Sequence, residues 1–161
     1  MVRSGENDAG VRVLGLGNEI LGDDAFGILV ARRLEGQCGG DTDIVCSSAS
    51  GFALLDHLLG VKRLIIVDIV TTRSSPPGTI YFVESGPVPA QSAAATHFLG
   101  LWDVLAFARK AGLPAPLETT IVAVEADDCR TVGGRMHPAV EAAIAPVVEA
   151  LRKLLGAGVY A

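Results

Sequence analysis

Two carboxylates and one imidazole, Asp24, Asp68 and His97, stand 44 and 29 residues apart in a chain of 161 residues. They act together only if a fold brings three separate loops to one point. Two oxygen donors and one nitrogen then form a three-ligand set that leaves coordination positions open for water or substrate. Such a set suits a borderline divalent ion better than copper(I) or an iron–sulfur cluster. Each residue also has an ordinary structural use. Asp68 interrupts Leu64-Ile65-Ile66-Val67-Asp68-Ile69-Val70, where a buried carboxylate without a partner costs several kcal/mol. It is therefore capped by backbone N–H groups, paired, or bound to a metal. Asp24 is a second acid at a helix start, where the dipole alone favours it, and His97 has capping and packing uses. The case for a site is the convergence of all three.

No Ser/His/Asp or Cys/His arrangement is evident. Cys46 as a nucleophile needs a neighbouring base and a lowered pKa; burial habits make it a buried thiol at a strand end. His57, within Leu54-Leu55-Asp56-His57-Leu58-Leu59, reads as an exposed helix residue, and His137 before Pro138 as a loop residue. The three cysteines, Cys38, Cys46 and Cys129, are spaced by 8 and 83 residues. That matches neither a zinc knuckle nor a secreted disulfide framework, and a reducing cytoplasm fits it best.

The elements that must position these residues emerge from composition and period. Half of the residues are hydrophobic, 19% are charged and the net charge is −5, which predicts one well-packed domain over residues 11–161 behind a loose tail, 1–10. The acidic balance, without a Lys/Arg cluster, excludes a nucleic-acid partner, and no apolar run is long enough for a membrane span. Apolar runs at 11–16, 43–47, 63–69, 79–84 and 119–124 predict five strands, alternating with helical patterns at 24–35, 51–59, 97–111 and from Pro138 onward. Asp23 is placed as the N-cap of the first helix, and Pro146 is expected to kink or interrupt the last. About nine residues, without helical pattern, join the third and fourth strands, too few for a parallel crossover. The fourth strand therefore runs antiparallel, and residues 85–96 climb back to the start of the third helix. The expected fold is α/β: a single-domain, three-layer α/β/α sandwich around a five-stranded, mostly parallel twisted sheet. Its upper edge, where ligands bind in such sheets, gathers Asn18, Asp23, Asp24, Asp68, His97, Glu125, Asp127 and Asp128.

The turn Gly15-Leu16-Gly17-Asn18 permits a close backbone approach. A dinucleotide fold wants a third glycine where Ile20 stands, and the acids after it repel a pyrophosphate. Peptidyl-tRNA hydrolases share Gly-Leu-Gly-Asn, but the Arg-His-Asn segment expected after it is absent, and the acidic chain disfavours tRNA. The chain continues instead with Asp23-Asp24-Ala25-Phe26-Gly27. Together with Leu64-Ile65-Ile66-Val67-Asp68, Pro77-Gly78-Thr79 and Thr96-His97-Phe98-Leu99-Gly100-Leu101-Trp102-Asp103-Val104-Leu105, this segment resembles the hydrogenase maturation proteases, and the resemblance covers nearly the whole chain.

The resemblance implies an endopeptidase that trims the C-terminal extension of a [NiFe] hydrogenase large-subunit precursor. It implies that Asp24, Asp68 and His97 are the metal-holding and catalytic residues, and that Asn18 and Gly51 border the substrate. The metal is nickel carried by the precursor, for which cadmium or another divalent ion can substitute in crystals. One segment departs from the family pattern. Where an Asp-Gly-Gly-Thr-x-Gly loop is usual, the chain has Cys46-Ser47-Ser48-Ala49-Ser50-Gly51, which stiffens the loop and removes an acid from the cleft. Glu125-Ala126-Asp127-Asp128 adds acids after the fifth strand, for cations, for basic substrate ends, or simply for solvation. A non-catalytic metal- or precursor-binding relative and an unrelated small hydrolase on the same fold are the competing readings.

Overall fold

The computed structural model describes residues 10–84 and 98–156. The expectations for the N-terminal tail, for the return segment 85–96 and for His97 fall outside the described residues. Five strands form one sheet: β1 (Val11–Leu16), β2 (Thr42–Ser47), β3 (Arg63–Val70), β4 (Ile80–Glu84) and β5 (Glu118–Glu125), in the order β2-β1-β3-β5-β4. All neighbours are parallel except β4, which runs antiparallel to β5. The short β3–β4 connection has this result: it reverses the chain, and Thr79 and Gly78 lock onto Glu125 through two backbone hydrogen bonds of 2.8 Å.

Among the described residues the helices are α1 (Phe26–Leu34), α2 (Leu55–Leu58), α3 (Leu99–Lys110) and α4 (Pro138–Gly156). Alternation along β3 assigns them to layers. Ile65, Val67 and Ile69 pack with Val30 and Leu34 of α1 and with Ile144 and Leu151 of α4. Leu64, Ile66 and Val70 pack on the other face with Leu58 of α2 and with Leu101 and Leu105 of α3. The sandwich is thus three-layered, with β3 and β5 buried on both faces, as their apolar runs at 64–67 and 121–124 require. No helix among the described residues is long and apolar enough to cross a membrane.

Three local expectations are corrected. Residues 22–25 form a 3-10 turn, so α1 starts at Phe26 and Asp23 does not cap it. The expected helix over 51–59 is divided into a 3-10 turn, Gly51–Leu54, and a single α-turn. Pro146 lies within α4 without interrupting it; it sits on the exposed side, where a missing N–H leaves its carbonyl partner to water.

Close approach of α1 to the sheet is set by Gly27, because a Cβ there would collide with the carbonyl oxygens of Leu16 and Val67. The helix therefore begins directly over the ends of β1 and β3, which is where the site residues lie.

Candidate active site

The turn between β1 and α1 is built by backbone contacts before any side chain is considered. Gly17 adopts φ 147°, a region open to glycine, and a Cβ at that position would strike the Asp24 carbonyl. Asn18 N–H donates to the same carbonyl at 3.0 Å, and Asp24 N–H donates to the Leu21 carbonyl at 3.0 Å. The loop thus folds back on itself and sets Asp24 beside the end of β1. Asn18 adds a side-chain contact, its Oδ1 accepting from Ile20 N–H at 3.2 Å.

Asp68 lies two residues before the end of β3, on the strand face that also carries Ile66 and Val70. Its register partner on β5 is Ala123, whose methyl leaves room beside the carboxylate. Asp68 Oδ1 accepts from Ile69 N–H at 2.7 Å. Burial pushes the Asp68 carboxyl up to about 7, against the lowering effect of that hydrogen bond and with help from the negative charge of Asp24. Asp24 is itself raised, chiefly by burial, with the Asn18 N–H acting in the opposite sense. Two carboxyls therefore share a confined space among whose described lining residues no basic side chain stands.

That space is a cleft of about 380 Å³. The β1–α1 turn contributes Gly17, Asn18 and Asp24; the loop after β2 contributes Ser48, Ala49, Ser50 and Gly51; β3 contributes Asp68. Leu54, together with Phe98, Gly100 and Leu101 at the start of α3, closes it. The candidate residues Asn18, Asp24, Gly51 and Asp68 thus line one cavity. His97 lies outside the described residues, although Phe98, next in sequence, lines the cleft. Gly51 adopts φ 57°, which turns the β2 loop into the 3-10 turn after it. The hydroxyl-bearing wall of Ser48 and Ser50 is legible in the sequence only as a departure from a motif. The apolar wall of Leu21, Leu54 and Leu101 is indistinguishable there from ordinary core.

The other acids expected at this edge do different work. Asp23 is buried and accepts three backbone N–H groups, from Asp127 at 2.7 Å and Asp128 at 2.9 Å on Oδ2, and from His137 at 2.6 Å on Oδ1. Glu125, also buried, accepts from Thr72 N–H and Oγ1, Arg73 N–H and the Tyr81 hydroxyl at 2.7–2.9 Å. Burial alone would raise its pKa, but these hydrogen bonds prevail and hold the carboxyl below its ordinary value. Asp128 closes its own turn by accepting from Arg130 and Thr131 N–H. None of Asp23, Glu125, Asp127 and Asp128 lines the cleft.

Cys46 is exposed, not buried, because β2 is an edge strand. Its thiol is pushed up, first by partial burial, with Arg32 opposing, which is the wrong direction for a nucleophile. His57 is half-buried rather than exposed. His137 is a loop residue whose Nδ1 accepts from Ala139 N–H at 3.1 Å and so caps α4.

Comparison with known proteins agrees with this architecture. The family model for hydrogenase maturation proteases matches residues 28–154. The hydrogenase 2 maturation protease of Escherichia coli (strain K12) is 33% identical over 143 residues, covering 86% of each chain. Among solved structures, the hydrogenase maturating endopeptidase HybD from E. coli superposes with a TM-score of 0.76 at 31% identity, over 92% of this chain and 93% of that one. The [NiFe] hydrogenase maturation protease HybD from Thermococcus kodakarensis gives 0.67 at 26% identity, over 90% and 98%. With the family model matched over most of its length and these likenesses beside it, the chain belongs to the hydrogenase maturation protease family and is an endopeptidase.

Proposed function

We propose that this endopeptidase removes the C-terminal extension of a [NiFe] hydrogenase large-subunit precursor and does so only after nickel has been inserted. Nickel is here the substrate's cargo. Asp24, Asp68 and His97 touch it as a check on loading, and the metal or a neighbouring carboxylate polarises the scissile carbonyl or the attacking water. Asn18 and Gly51 border the extended tail.

The observation that carries this reading is the pair of raised carboxyls, Asp24 and Asp68, lining one open cleft. Ligand carboxylates must be ionised, so an arriving divalent cation releases a proton from Asp68 and relieves the repulsion by Asp24. Cation affinity accordingly rises with pH through about 7, where Asp68 titrates. The cytoplasm, where an unfinished precursor resides, is the matching compartment.

The test incubates the protein with nickel-loaded and nickel-free precursor and follows the mass of the large subunit. Loss of the tail from the loaded form alone is the expected result. Asp24→Asn and His97→Ala should each slow trimming by at least about 100-fold, the scale of losing one electrostatic or acid–base group. Trimming of the nickel-free form at the same rate overturns the loading check, and binding without trimming overturns the processing reading.

A further inference from the structure

An endopeptidase takes a polypeptide, and this cleft is too small to recognise a folded one by itself. Its volume of about 380 Å³ stands at the lower end of the roughly 300–1,000 Å³ that holds a drug-sized ligand. A specific protein–protein contact buries roughly 800 Å² on each partner. Most of the recognition must therefore fall on surface outside the cleft.

Exposed apolar side chains occur on the loops and helix that wall it. Phe52 is 63% exposed in the 3-10 turn Gly51–Leu54, both ends of which line the cleft. Phe107 is 47% exposed on α3, whose first turn lines the cleft through Gly100 and Leu101. The two rings meet edge to face, with centroids 5.3 Å apart and planes at 84°, so they order each other while remaining in water. Ile20 is 58% exposed between Asn18 and Leu21, which also line the cleft. Its carbonyl accepts from Gly133 N–H at 2.7 Å, which brings the exposed Val132 into the same region. Isolated exposed apolar residues are ordinary. Here they lie on the same elements as the cleft, and an aromatic pair is the type of anchor that dominates protein–protein recognition.

We propose that Phe52, Phe107 and Ile20 form a docking surface for an apolar patch on the folded body of the protein whose C-terminal extension enters the cleft. This rests on the processing reading above. Continuity with the cleft identifies the occupant: a body covalently joined to the scissile segment lies against the cleft's own rim at high effective concentration. A second copy of this chain has no such tether.

The test measures cleavage of nickel-loaded precursor over a range of precursor concentrations. Phe52→Ser/Phe107→Ser is expected to raise KM about ten-fold with kcat unchanged, the signature of lost uniform binding. Ile20→Ser, on a loop and least able to disturb folding, is expected to raise KM about three-fold by the same logic. Phe52→Leu/Phe107→Leu restores most of the affinity. Phe82→Ser, an exposed phenylalanine on β4 away from the cleft walls, leaves both parameters alone. An unchanged KM in both serine variants overturns the docking surface while the processing reading stands, as does a fall in kcat at constant KM. A wild-type dimer dissolved by the double variant, with KM unchanged, assigns the patch to self-association and also overturns it. If the wild-type protein fails to trim loaded precursor, the processing reading falls and takes this inference with it.

Discussion

A carboxyl held near 7 makes Asp68 a source of instability in the folded protein. Below the ordinary value of 3.8 the group is protonated whether the chain is folded or not, and nothing is lost. As pH rises from there to about 7 the unfolded chain gives up the proton while the folded one keeps it, so stability falls; above about 7 the full penalty applies. Asp68→Asn removes the titration. It should melt with the parent near about pH 4 and above it near about pH 8, by at most about 4 kcal/mol at 1.36 kcal/mol per unit, as calorimetry at the two pH values will show. Asp24→Asn removes the neighbouring charge and should lower the pKa of Asp68, measurable by carboxyl carbon NMR. The need of Asp68 for a partner is legible in the sequence, because a carboxylate in an apolar strand has few options. Which of the two adjacent acids, Asp23 or Asp24, faces the cleft is decided by the 3-10 turn, whose geometry leaves no period to read.

At the scale of elements, Asp23 shows what local pattern cannot convey. An acid just before a helical run reads as an N-cap, yet its three N–H partners come from 104, 105 and 114 residues away. Their convergence is a product of the finished fold. Because every partner is a donor, Asp23→Asn should be nearly as damaging as Asp23→Ala: an amide presents only one acceptor oxygen. Both should cost about 3 kcal/mol or more in urea unfolding, the scale of several charge-assisted hydrogen bonds left unmade. Strands are more transparent, since β3 and β5 are buried on both faces and announce it in the apolar runs 64–67 and 121–124. Cys46 is opaque for the converse reason: burial at a strand end depends on whether the strand is central, and β2 is an edge.

For the molecule as a whole, the antiparallel fourth strand is legible because a nine-residue connection is a distance constraint, independent of packing. The course of α4 is not, because helix continuation across a proline depends on the tertiary contacts that hold both halves. Val140, Ile144, Val147, Val148 and Leu151 are buried against the sheet and α1 on either side of Pro146. The proline itself is exposed, so Pro146→Ala restores a hydrogen bond without disturbing the core and should stabilise the protein by about 1–2 kcal/mol, after allowance for the greater freedom of the unfolded chain. Chemical denaturation at constant m-value checks this. The bond from His137 N–H to Asp23 has a consequence in time. Translation makes Asp23 114 residues before His137, so a nascent chain with all five strands already made still lacks one of the contacts that fasten the turn presenting Asp24. Completion of that turn is thereby deferred until the segment beyond the fifth strand has been made.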